Sequence, residues 1–178
     1  MTQNTDIALM RRIADGSVAD LRELIGRYRE RLYRLAYGLL SDRAAADDAV
    51  QETFIRLWTK ARRYDPCHSV AAWLYTICAR RCYDELRRRR RHREAVERME
   101  MPVVAVGSMD EEQILALLRQ AVASLPPKQR VVYQLREIEC LDAETTAKAA
   151  RMTVDQVKAN LWNARNTVRE KLMQYGIY

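Results

Sequence analysis

Three observations predict an all-α fold made of two helical domains joined by a flexible linker. The 178 residues include only 5 Gly, 4 Pro and 1 Phe, and few Val/Ile alternations of the kind that mark strands. Apolar residues recur three and four positions apart over long stretches, the period of a helix with one buried face. Charge is uneven within a formal net of +7: residues 1–93 carry 20 Lys/Arg against 12 Asp/Glu, residues 94–113 carry 1 against 6, and residues 114–178 carry 10 against 6. Two basic lobes flanking an acidic connector suggest two contacts on one polyanion. The expected division is a first domain at 1–93, a linker at 94–110 and a helix-turn-helix domain at 111–178.

Composition also narrows the function. A hydrophobic share of 48% rules out wholesale disorder. The start, MTQNTDIALM, lacks the apolar stretch of a signal peptide, and no run approaches the ~20 apolar residues of a membrane span. A cytoplasmic location is expected. Cys67, Cys78, Cys82 and Cys140 have neither the CxxC spacing of a zinc or redox motif nor that of a secreted disulfide framework. They are expected to be reduced thiols, with no metal and no cofactor. No Gly-rich phosphate loop, triad spacing or carboxylate constellation points to catalysis, so neither an enzyme nor a small-molecule substrate is expected.

In the first lobe, Ile7, Met10 and Ile13 mark one helix, and Leu21, Leu24, Ile25, Tyr28, Leu32, Leu35 and Leu39 mark a second. Gly16 and Ser17 separate them, with Ser17 as N-cap. A third helix, begun by Asp42 or Asp47, buries Val50, Phe54, Leu57 and Ala61. Its opposite side carries Asp48, Glu52, Ile55 and Thr59, with Gln51 on the flank. That acidic face with an apolar centre reads equally as a solvated surface or as a protein interface. Asp65-Pro66 then makes a turn, placing Tyr64, His68 and Ser69 beside the next helix. In that helix, AAWLYTICARRCYDELRRRRRHR (71–93), Val70, Leu74, Ile77 and Cys78 form the packed stripe, while Thr76, Arg80, Tyr83 and Arg87 lie on the far side. A basic face with an exposed ring suits a phosphate backbone and unstacked bases.

The 17 residues of the connector (94–110) reach about 55 Å at ~3.3 Å each, or about 16 base steps at ~3.4 Å. In the second lobe, Glu111–Ala123 makes a helix through Ile114, Leu117, Leu118 and Val122. Leu125-Pro126-Pro127 starts another at Lys128–Glu139, burying Val131, Val132, Leu135 and Ile138. Asp142 caps a short helix to Ala150. Thr153 and Gln156 form a capping box for the last helix, which runs to about Met173. There Val154, Val157, Leu161, Ala164, Val168 and Leu172 face inward. Asp155, Ala159, Trp162 and Asn166 face out, with Gln156, Lys158 and Asn163 at the margins, positions suited to a major groove. Lys128, Arg130, Arg151 and Arg165 are candidates for phosphates.

DDAVQETFIRLW (47–58), the YDP turn (64–66) and AAWLYTICARRCYDELRRRRR (71–91) together resemble the second region of bacterial sigma factors. SLPPKQRVVYQLREIECLDAETTAKAARMTVDQVKANLWNARNTVREKL (124–172) resembles the fourth. The best fit is the extracytoplasmic-function (ECF) group of the sigma-70 family. The resemblance implies a transcription initiation subunit that binds core RNA polymerase through Asp48, Gln51, Glu52 and Ile55. It implies that Tyr64, His68, Ser69, Trp73, Thr76, Arg80, Tyr83 and Arg87 capture the melted -10 element of promoter DNA. It further implies that Arg130, Thr153, Asp155, Gln156, Lys158, Ala159, Asn163 and Arg165 contact the -35 duplex. An anti-sigma factor is the expected protein partner.

The chain departs from the family at several reading positions. Ala79-Arg80 stands where the family has Arg-Asn, and Arg81 stands where it commonly has Leu. Arg81 falls near the buried stripe and is expected to snorkel outward or pair with Asp84. Arg151 replaces a turn Gly, so a positive φ is expected there at a cost of about 1 kcal/mol. Two other readings of the residues remain: a helix-turn-helix regulator that acts without polymerase, and a zinc- or thiol-based sensor enzyme resting on the cysteines.

Overall fold

Side-chain caps set the helix starts in the computed structural model, which describes residues 2–95 and 111–177. All of the regular structure among these residues is helical, in the order α1 (Thr2–Ala14), α2 (Val18–Leu40), α3 (Arg43–Lys60), α4 (Val70–Ala95), α5 (Glu111–Ala123), α6 (Pro127–Tyr133), α7 (Ala143–Ala150) and α8 (Val154–Gln174). Each cap oxygen accepts a backbone N–H that the first helical turn leaves unbonded. Ser17 accepts from Asp20 N at 3.3 Å, Asp42 from Ala45 N at 3.1 Å, Ser69 from Ala72 N at 3.3 Å and Asp142 from Thr145 N at 2.7 Å. Thr153 and Gln156 form the reciprocal box, with Gln156 N donating to Thr153 Oγ1 at 3.2 Å and Thr153 N to Gln156 Oε1 at 3.1 Å. Gly16, at φ 99°, allows the reversal between α1 and α2, a conformation costly for any residue with a Cβ.

The residues divide into two compact units, 1–82 and 83–178, with the division inside α4. In the first unit, Leu24, Leu32, Leu35 and Leu39 of α2 are fully buried, and so are Leu57 of α3 and Leu74 of α4. Each contributes roughly 1.5–3 kcal/mol by leaving water. The Cys78 thiol donates to Leu32 O at 3.8 Å, which ties α4 to α2. A buried polar knot joins α1 to α2: Asp6 accepts from Arg27 Nη1 at 2.6 Å and from the Tyr28 hydroxyl at 2.5 Å. In the second unit, Ala121, Val122, Leu125, Ala164 and Val168 form a core that Leu118, Tyr133 and Leu172 cover.

The structure departs from the sequence-based expectations at three places in the second unit, the first being Ile114, expected on the apolar stripe of α5 but 38% exposed. Ile138 is 52% exposed rather than buried. Beyond Tyr133 the chain widens into a π-helical stretch, Gln134–Ile138, in which Glu139 N bonds Gln134 O at 3.0 Å. The extra residue in that turn swings the following side chains by about 100° about the axis, carrying Ile138 off the buried side. Arg130 is the third correction. It is 7% exposed and donates to Ala123 O at 3.3 Å, so its guanidinium is packed inside this unit and does not join the outer surface of α8.

Arg151 has φ 54° and ψ 54°, as its place at the family's Gly position predicts. Arg151→Gly is therefore expected to raise stability by up to about 1 kcal/mol in urea unfolding, as relief of left-handed strain outweighs glycine's added chain entropy. Arg81 is half-buried; Asp84 is exposed, and among the described residues no ion pair joins them. Of the two expected outcomes, the pairing with Asp84 does not form. The expected linker falls almost entirely outside the described residues. Among the described residues, no helix is long and apolar enough to cross a membrane.

Candidate functional site

Helix α3 packs on α2 through Val50, Phe54 and Leu57, all buried, because apolar residues recur at i, i+4 and i+7 on that side. This packing leaves an open groove of about 650 Å³ along the helix pair, lined by Val18, Leu21 and Ile25 of α2 and by Gln51, Ile55 and Trp58 of α3, with Arg29 and Asp47 among its polar residues. Ile55 is 49% exposed and Val18 50%. Asp48 is exposed on the same helix, whereas Glu52 is held by its neighbour, accepting from Arg56 Nε at 2.7 Å. Of the four expected residues, the structure thus brings Gln51 and Ile55 to the groove and keeps Asp48 and Glu52 outside its lining. Trp58, Asp47 and Val18 are additions. Trp58 lies one turn beyond Ile55, a spacing visible in the sequence; Val18 enters only because α2 runs alongside.

The turn before α4 is built around Tyr64. Its ring lies 5.4 Å from that of Trp73 at 50°, and its hydroxyl donates to His68 O. Burial raises the Tyr64 pKa, with smaller contributions from Asp6 and Asp65, so the hydroxyl stays a donor. His68 is exposed, with Nε2 4.0 Å from the Asp65 carboxylate. Ser69 caps α4, so its hydroxyl already has a structural partner. Along α4, Thr76, Arg80 and Tyr83 are half-buried and Arg87 is exposed. The Arg87 guanidinium lies over the Tyr83 ring, 5.8 Å from its centre. Cys78 and Cys82 are buried while Cys67 is exposed, and no group of three or more potential metal ligands occurs among the described residues. The sequence reading missed the burial of Glu85, which binds two members of the arginine run.

In the second unit, a short turn joins α7 to α8. On α8, Asp155, Gln156, Lys158, Ala159, Trp162, Asn163 and Arg165 are exposed, and Asn166 is half-buried. Trp162 is 67% exposed. Two of the expected cations already have partners: Lys158 Nζ lies 3.5 Å from Asp155, and Arg165 Nη2 lies 2.7 Å from Glu137. The Gln156 side-chain oxygen and the Thr153 hydroxyl are engaged in the capping box, so the amide NH₂ is the remaining donor of the exposed Gln156 side chain.

Comparison with known proteins bears on these surfaces. Residues 24–92 match the family model Sigma-70 region 2. The chain is 31% identical over 160 residues to ECF RNA polymerase sigma factor SigE of Mycolicibacterium smegmatis, covering 86% of this chain and 62% of that protein. It is 24% identical over 176 residues to ECF RNA polymerase sigma factor SigW of Bacillus subtilis, covering 92% of this chain and 94% of that one. Among solved structures it resembles the sigma factor RpoE of Bartonella quintana, in complex with the anti-sigma factor NepR, at 25% identity and a TM-score of 0.68, covering 88% of this chain and 98% of that one. Residues 24–92 thus match a sigma-70 region 2 domain, and over most of its length the chain is similar to sigma factors of the extracytoplasmic-function group.

Proposed function

We propose that the chain is a promoter-recognition subunit that acts in the cytoplasm, without chemistry of its own, by attaching core RNA polymerase to DNA and helping to open it. The observation that carries this reading is the groove beside α3, where exposed Ile55 and Trp58 stand among polar groups inside the matched region, residues 24–92. An apolar centre with a polar rim fits a protein partner better than a polyanion, and core polymerase is the partner that the similarity to sigma factors supplies. Tyr64, His68, Ser69 and Trp73 around the turn, with Thr76, Arg80, Tyr83 and Arg87 of α4, would receive the unpaired -10 strand, combining cationic and aromatic groups. The pair α7–α8 would act as a helix-turn-helix, with Thr153, Asp155, Gln156, Lys158, Ala159, Asn163 and Arg165 toward the -35 duplex. Residues 1–93 and 111–178 would then be the two functional domains, joined by 94–110. A protein inhibitor of the anti-sigma kind is the expected regulator, given the complex in which the related RpoE was solved.

Run-off transcription on a randomised promoter library, with core enzyme and the full chain, tests the reading. Selected templates should share two separated sequence elements, and Asn163→Ala should relax selection only in the upstream one. Transcripts without any shared element, or a downstream element altered by Asn163→Ala, would overturn it.

A further inference from the structure

Arginine is continuous from 87 to 91 on α4, yet these side chains do not form one uniform positive surface. Glu85 divides them. Its side chain is 9% exposed and accepts three guanidinium hydrogen bonds: from Arg88 Nε at 3.0 Å, Arg88 Nη2 at 2.8 Å and Arg89 Nε at 2.9 Å. Spacings of three and four gather Glu85, Arg88 and Arg89 on one side of the helix. Arg87 lies two positions from Glu85, about 200° around the axis, and its guanidinium is over Tyr83. Arg91, four positions further on, shares that side and is exposed.

A carboxylate this buried has lost most of its water and depends on its cations more than a surface acid does. The Arg88 hydrogen bond, helped by Arg89 and opposed by burial, holds the Glu85 carboxyl below its usual range. It therefore stays ionised through neutral pH. Arg88 is 74% exposed and Arg89 30%, so Arg88 has the freedom to swing toward a phosphate and Arg89 is the more confined. If both left, a buried charge would remain without its partners.

We infer that Glu85 is a positioning residue that withholds Arg88 and Arg89 from bound nucleic acid, so that the strand is held by Arg87 and Arg91 on the Tyr83 side of α4. The inference rests on the proposed nucleic-acid role of that helix. It gives the arginine run a sidedness that charge alone lacks, and it limits sequence-independent attraction to any polyanion.

The test is salt-dependent anisotropy of a labelled single-stranded oligonucleotide with the full chain, because the slope of log affinity against log salt counts the phosphates neutralised. Glu85→Gln should steepen that slope by about 0.7 to 1.4, corresponding to one or two added contacts at ~0.7 each. Asp84→Asn, the same charge change at an exposed neighbouring acid, should leave it nearly unchanged. Arg88→Gln should have little effect in the parent chain and should reverse much of the gain in the Glu85→Gln chain. An unchanged slope in folded Glu85→Gln, a matching rise in Asp84→Asn, or an Arg88→Gln loss as large as that of Arg87→Gln would overturn the inference. The comparison of Arg88→Gln with Arg87→Gln decides the matter even if Glu85→Gln fails to fold. If Arg87→Gln and Arg91→Gln both leave the slope unaltered, the nucleic-acid role of this helix fails instead.

Discussion

Asp48→Lys combined with Ile55→Glu is expected to weaken binding to core RNA polymerase by roughly 100-fold or more while leaving the fold intact. Residues at the centre of an interface commonly contribute about 2 kcal/mol or more each, and their effects are not strictly additive. Ile55 supplies exposed apolar area to the groove, and Asp48 lies two turns earlier on a face that carries acid and almost no base. Glutamate at 55 would bring a charge to be desolvated without a partner, and lysine at 48 would reverse the local field. Both positions face solvent in the free chain, so the melting temperature should barely move. Co-sedimentation with core enzyme measures the effect. Undiminished binding by a folded double variant would place the polymerase contact elsewhere on the protein.

Asp6→Ala is expected to cost about 3 kcal/mol, seen as a lower midpoint in urea unfolding. Asp6 is almost fully buried and accepts from both Arg27 and the Tyr28 hydroxyl. Removing one member of such a knot leaves the others desolvated and short of a partner, which is costlier than never having buried them. Arg27 is 31% exposed and recovers some hydration, which keeps the loss toward the lower end of the range for buried pairs. Burial first, and Asp6 second, push the Tyr28 pKa upward. A raised tyrosine pKa means that the unfolded chain releases its proton first. This contribution is therefore complete below pH ~10, the ordinary tyrosine value, and declines as pH rises above it. A loss below about 1 kcal/mol in Asp6→Ala would show that the knot contributes little.

Features that depend on residues close in sequence were the most legible. Ser17, Asp42, Asp142 and the Thr153–Gln156 box are short-range devices, each satisfied within three residues, and all four form. The buried stripe of α3 likewise follows from period alone. What escaped the sequence depends on the surroundings of a helix. Arg130 carries a charge that normally seeks water, yet it is buried and donates to the Ala123 carbonyl, a contact that helical period does not reveal. Ile138 followed helical period until the π-helical turn displaced it. Asp6 meets Tyr28 across 22 positions, a separation with no local signature. The groove shows both regimes: Gln51, Ile55 and Trp58 fall on one readable face of α3, whereas Val18, Leu21 and Ile25 come from another helix. Glu85 has a recognisable spacing to Arg88 and Arg89, but its burial decides their behaviour and no pattern in the sequence reports it.

Reconstituted transcription examines promoter recognition most directly. Core RNA polymerase stripped of other sigma factors is mixed with the purified full chain and a selected template, and the run-off product is measured. The expected result is a transcript of defined length that depends on this chain and disappears with the Asp48→Lys, Ile55→Glu variant. A core enzyme that remains silent on every template with this chain, yet initiates when given another sigma factor, would contradict sigma activity.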